Sequence, residues 1–113
     1  LLTPMGLRTL DPADPGYCPR YEGDVVQRDS AYHQGTVWPW LMGANVQAAL
    51  RVRGPSAIAD LRAQCLAPLL AHLDANCGHV CEVANGTAPH TPGGCPAQAW
   101  SLGELIRIRG WLA

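Results

Sequence analysis

From Pro39 onward the apolar residues fall at helical spacing. Leu41, Val46, Ala49, Leu50 and Val52 can line one helix face, with Pro39 in the first turn and Gly54-Pro55 at the end. A second helix is expected from Ser56, as N-cap, to Asp74. Its apolar stripe is Ile58, Leu61, Cys65, Leu69 and Leu73, three or four residues apart. Pro68 lies inside that stripe and removes a backbone donor, which predicts a kink or a split; Asn76 to Gly78 stop the helix. A third helix is expected from about Ala97, with Trp100, Leu102, Leu105, Ile106 and Ile108 as its apolar positions and Gly110 weakening its end. Residues 1–37 and 77–96 show no such period. They carry turn formers such as Asp11-Pro12 and Asp14-Pro15-Gly16 and read as two long ordered loops, with Val80 to Val83 as a short extended piece. The expected fold class is all-α: three helices and two elaborate loops.

Charge changes that picture in one respect. The segment 39–53 carries only Arg51 and Arg53, and 97–113 only Glu104, Arg107 and Arg109. Helices this apolar all round are buried on most sides, and three helices cannot bury one another so completely. Residue 1 is also Leu. The 113 residues are therefore expected to be a piece of a larger domain that folds poorly alone.

Across the chain 15% of residues are charged and 48% apolar, which excludes disorder. Eight basic residues, all Arg, stand against nine acidic ones, so the cationic surplus that nucleic-acid binding needs is missing. No apolar run is long enough to cross a bilayer and no leader is visible, so neither a nucleic acid nor a membrane is an expected partner. The five cysteines, Cys18, Cys65, Cys77, Cys81 and Cys95, are an odd number and argue against a disulfide framework. Cys77, His79, Cys81, His90 and Cys95 offer metal-ligating side chains, but the Cys-x3-Cys spacing is not that of a zinc site. Free thiols in the core and a cytoplasmic location are expected.

Two segments concentrate polar groups beside aromatics: Arg28 to Trp40, and Glu82 to Trp100. Sugars have apolar ring faces and a fringe of hydroxyls, so a sugar site combines flat aromatics with planar hydrogen-bonding side chains. Tyr32, His33, Gln34, Trp38, Trp40, Gln98 and Trp100 are that mixture; the alternative is that the tryptophans are core and the polar groups serve loop backbone. Glycoside hydrolysis also needs two carboxyl groups, one to protonate the leaving oxygen and one ionised. Asp11 and Asp14 read as turn formers, Asp60 and Asp74 as solvated, and Glu104 as a partner of Arg107 or Arg109. Glu82 differs. It stands in the apolar run Val80-Cys81-Glu82-Val83-Ala84, where its charge must be met by hydrogen bonds. It is either a catalytic group or a cap on its own loop.

Three motifs in order carry a resemblance: Leu1-Leu2-Thr3-Pro4 with Gly6-Leu7-Arg8; Tyr32-His33-Gln34-Gly35-Thr36-Val37-Trp38-Pro39-Trp40; and Ala88-Pro89-His90-Thr91-Pro92 followed by Gly94-Cys95-Pro96-Ala97-Gln98-Ala99-Trp100-Ser101. Over nearly the whole chain this resembles the C-terminal catalytic part of glycogen debranching enzymes of the amylo-α-1,6-glucosidase type. The resemblance implies that residues 1–113 are the C-terminal segment of an (α/α)6 barrel whose upstream part is missing. It implies inverting hydrolysis of the α-1,6-linked glucosyl residue at branch points of glycogen or a branched α-glucan, without a cofactor. It makes Glu82 the general base and puts the general acid, an Asp, outside this chain. It places His33, Gln34, Trp38, Gln98, Trp100 and His90 in substrate binding. The family usually reads Ser-Glu-Ile, an aromatic, then Asp-Gly around the base; this chain has Cys81-Glu82-Val83-Ala84-Asn85-Gly86. Alternatives are a non-catalytic carbohydrate-binding or degenerate fragment, or a related barrel glucosidase or phosphorylase with another substrate. A phosphorylase would need a phosphate pocket, and no phosphate-cradling glycine loop is present. The fragment alone is expected to be inactive.

Overall fold

In a computed structural model, which describes residues 1–113, the supposed loops pair with one another. Five short strands, β1 (Leu2–Thr3), β2 (Gly6–Arg8), β3 (Val37–Trp38), β4 (Val83–Ala84) and β5 (Pro92–Gly93), form one antiparallel sheet in chain order. Leu7 lies opposite Trp38, Val37 opposite Ala84, and Val83 opposite Gly93. The all-α expectation is therefore corrected. Long segments cannot run over a core with their amides unpaired, and here they pair in local hairpins at both edges and across distant sequence between β2, β3 and β4. Strands of two or three residues show no alternation from which they could have been read.

Gly6 makes the first turn of the sheet possible. Its φ is +148°, and a Cβ there would lie 2.4 Å from the Trp38 carbonyl oxygen, so only glycine lets the hairpin lie this close to β3. Thr3 ties the same hairpin by donating its hydroxyl to the Gly6 carbonyl at 2.9 Å.

Residues 1–37 contain a further element that the pattern did not reveal, α1 (Val25–Tyr32). It is closed by a capping box: Asp24 accepts from the Gln27 amide at 2.9 Å, and Gln27 accepts from the Asp24 amide at 2.8 Å. The expected helices are present as α2 (Leu41–Arg53), a broken middle helix, and α5 (Ala99–Trp111), which stays helical through Gly110. The middle helix splits as Pro68 predicts. A 3-10 turn at Pro55–Ala57 leads into α3 (Ile58–Leu61), then a widened turn at Arg62–Leu66, then α4 (Ala67–Ala75). Pro68 cannot donate to the carbonyl four residues back, and the turn before it opens until the Ala67 amide reaches Arg62. Ser56 is not the N-cap; it lies within the 3-10 turn and bonds back to the Arg53 carbonyl at 3.0 Å.

Eleven buried residues from α2, the middle helix, Val80 and α5 form the main core, among them Met42, Val46, Leu61, Cys65, Leu69, Leu105 and Ile108. Val52 and Ile106, assigned to apolar faces, point outward at 85% and 64% exposure. A smaller cluster, Met5, Val37, Cys81 and Ala84, lies beneath the sheet. The thiols divide: Cys65 and Cys81 are core residues as expected, whereas Cys77 and Cys95 are exposed. No helix is long and apolar enough to cross a membrane.

The two clusters are tied where His72 of α4 accepts from the Cys81 amide at 3.4 Å. Burial lowers the His72 pKa below its ordinary 6.5. The folded state thus binds fewer protons than the unfolded chain, so stability is full above pH 6.5 and drains as pH falls through the depressed folded value. The thermal stability of the full-length protein should fall across that window. In His72→Gln this part of the pH dependence should vanish; an identical dependence would show that the histidine is not responsible.

Candidate active site

α1 ends at Tyr32, and the chain returns at once through Gly35 and Thr36 to β3. The return is fixed by the Thr36 hydroxyl on the Ala31 carbonyl at 2.7 Å and by the Trp38 indole N–H on the Tyr32 carbonyl at 3.0 Å. Trp38 is buried by folding back over the end of α1. His33 stacks parallel to it, with ring centres 5.6 Å apart and planes 6° from parallel. Trp100, in the first turn of α5, meets Trp38 edge-on at 6.2 Å and Trp40 at 5.7 Å. Together with Thr9 and Leu41 these rings line an apolar cleft of about 160 Å³. Trp100 is half exposed there, at 52%. Flat faces with a histidine at the margin suit the ring of a sugar.

Glu82 is held from two directions. Its own amide donates to the Cys95 carbonyl at 2.8 Å, and the Cys95 amide returns a bond to Glu82 Oε2 at 2.8 Å. Oε1 accepts from the Tyr32 hydroxyl. The carboxylate is half-buried. Burial first, and then the Glu82 carboxylate, push the Tyr32 phenol well above its usual pKa of 10.0. Tyr32 packs edge-on against Trp38 at 4.6 Å, so a single residue separates Glu82 from the tryptophan cleft. Beside Glu82, burial pushes the Cys81 thiol up to about 11, leaving an inert core group.

The other expected site residues lie elsewhere. Gln34 is exposed, and its main-chain carbonyl holds the Cys18 amide at 2.6 Å. Gln98 precedes α5 and lines a separate hollow with His79, Val80 and Leu102. His90, at φ +60°, turns its Nδ1 to the Asn85 carbonyl at 2.9 Å and so braces the loop between β4 and β5. The structure thus brings together Glu82, His33, Trp38 and Trp100, but not Gln34, Gln98 or His90. Tyr32 and Trp40 had counted only as members of an aromatic mixture, and Thr9 and the Cys95 amide carried no signal. The capping pair Asp24 and Gln27 was the available clue, since a helix starting there ends at Tyr32.

Residues 1–107 match the amylo-alpha-1,6-glucosidase family, and the chain belongs to that family, a glycosidase lineage related to glycogen debranching. Among curated relatives, the glycogen debranching enzyme of Saccharomyces cerevisiae is 43% identical over a stretch covering 40% of this chain and 3% of the yeast protein. The chain therefore spans only a small fraction of that relative's length. No solved structure matches it.

Gly94 is the remaining constraint on the carboxylate. It sits at φ +65°, and a Cβ there would fall 2.6 Å from Glu82 Oε2. Gly94→Ala should therefore loosen the 93–96 turn by about 1–2 kcal/mol. Hydrogen exchange of the Cys95 amide in the full-length protein should then accelerate by about tenfold; unchanged protection would mean that the turn does not depend on this close approach.

Proposed function

We propose that residues 1–113 form the C-terminal, base-bearing segment of an (α/α)6 glucosidase domain, and that the complete polypeptide removes the α-1,6-linked glucosyl residue at branch points of a glycogen-type glucan with inversion. One observation carries this reading: a carboxylate gripped by two donors and separated by one tyrosine from a cleft walled by three tryptophans. Membership of the amylo-alpha-1,6-glucosidase family supports it.

In this mechanism ionised Glu82 takes a proton from a water molecule as that water attacks the anomeric carbon. Both Glu82 oxygens already accept one bond, and each retains a further lone pair for the water. An aspartate outside this segment protonates the departing glycosidic oxygen. Inversion leaves room for the water, so the two carboxyl groups stand roughly 6.5–9.5 Å apart. Trp38 and Trp100 stack on the sugar and His33 meets a hydroxyl. Gln34, Gln98 and His90 belong to the same substrate-binding reading, with His90 also bracing the loop between β4 and β5.

Glu82→Gln in the full-length protein keeps the shape of the side chain and removes its basicity. Release of glucose from a limit dextrin should fall by about 10²–10⁴-fold with KM within twofold; retained turnover removes Glu82 from the role. Glucose should be released equally with and without inorganic phosphate, and a sugar phosphate as product would establish a phosphorylase instead. Trp100→Ala should raise KM by roughly five- to tenfold, about 1 kcal/mol of lost stacking.

A further inference from the structure

We propose that Tyr32 is the positioning residue of the catalytic base, its phenol fixing the orientation of the Glu82 carboxylate toward the attacking water. This rests on the reading of Glu82 as the base.

The phenol has almost no freedom of its own. Its ring is packed by Tyr21 at 5.4 Å, His33 at 4.9 Å and Trp38 at 4.6 Å. Its backbone is pinned at both ends, by the capped helix before it and by the Trp38 indole on its carbonyl. The hydroxyl meets Glu82 Oε1, the oxygen that the Cys95 amide leaves free. Two donors on two different oxygens define the carboxylate plane, which neither could do alone. A base that must align one lone pair with a water gains from that geometry directly.

The donor is also chemically suited. A hydrogen bond to the charged form of a carboxylate favours that form. Burial and the carboxylate both keep the phenol protonated, so it remains a donor throughout the working pH range. The other titratable groups facing this pair are Tyr21 and Asp29, whose charge also disfavours phenolate, His33 against the ring, and the Cys81 and Cys95 thiols beside Glu82. None of them donates to the carboxylate. Tyr32 is moreover the residue that joins the two halves of the site, since its ring contacts the cleft wall and its oxygen contacts the base.

The test is Tyr32→Phe in the full-length enzyme, which keeps the ring and removes the donor. We expect kcat to fall by roughly tenfold with KM within twofold, and the acid limb of the kcat/KM profile to move up by about one pH unit. Replacement of Tyr32 by 3-fluorotyrosine, a stronger donor of nearly the same shape, should move that limb down. It also decides the matter if the phenylalanine variant fails to fold. An unmoved acid limb in both variants, or a fall in kcat accompanied by an equal loss of binding and of thermal stability, overturns the assignment and leaves Tyr32 a packing residue. If instead Glu82→Gln retains turnover, the failure belongs to the base itself and not to its partner.

Discussion

The site depends on one strand pairing. Val37 lies opposite Ala84, and that register is the only sheet contact between the segment carrying Tyr32, Trp38 and Trp40 and the segment carrying Glu82. Both residues are fully buried, in a cluster of four with Met5 and Cys81. Successive strand residues face opposite ways, so a slip of one position would move Val37 to the face that Trp38 occupies and Ala84 to that of Val83, all four of them buried. The pairing fixes more than proximity, because it determines that Tyr32 and Glu82 meet at an oxygen rather than pass each other.

What could be read from the sequence divides along the same line. The apolar stripes of α2, the broken middle helix and α5 recur over three or more turns, and the break at Pro68 follows from a missing donor, so these helices are legible, unlike the short α1. Strands β3 and β4 are two residues long and find partners 30 or more residues away. No local period records such a pairing. Glu82 stood out because a charge in an apolar run requires an explanation, and Trp38 and Trp100 because flat rings near it suggest stacking. Gln34 and Gln98 join them by composition as well as by motif, and His90 by motif alone. His90 braces its own loop through the Asn85 carbonyl, Gln98 lines a separate hollow and the Gln34 side chain is exposed, differences in placement that composition does not record. Tyr32 was visible as a residue, whereas its role depends on a contact with a residue 50 positions downstream.

Two of the departures from the family's usual pattern around Glu82, at Ala84 and Asn85, have local counterparts. Ala84 is wholly buried between Val37, Met5 and Cys81, where an aromatic ring would have to displace the strand it pairs with. Asn85 donates its amide to the Glu22 carboxylate at 2.6 Å and accepts the Tyr21 amide at 2.8 Å. An aspartate at 85 could accept the second bond but would set a like charge against Glu22 in place of the first. The substitution therefore belongs with Glu22, and together they tie the segment before α1 to the loop after β4. That tie holds Tyr21, which packs on Tyr32.

Stability is unevenly shared between the two halves. The helical core has eleven buried residues and the sheet cluster four, so the sheet relies on side-chain bonds to backbone more than on apolar area. Thr3 on Gly6, Arg8 on Gly86 at 2.7 Å and Asn85 on Tyr21 are of this kind. Weakly cored regions open locally at low free energy. A base, however, tolerates little displacement. The conflict is met by three consecutive residues. Val80 is buried in the large core, Cys81 in the small one, and Glu82 follows directly. The chain carrying the carboxylate is thus anchored in the most stable part of the molecule immediately before it enters the least stable part. Under the proposed function, that anchoring keeps the Glu82 backbone fixed even where the surrounding loops are weakly cored.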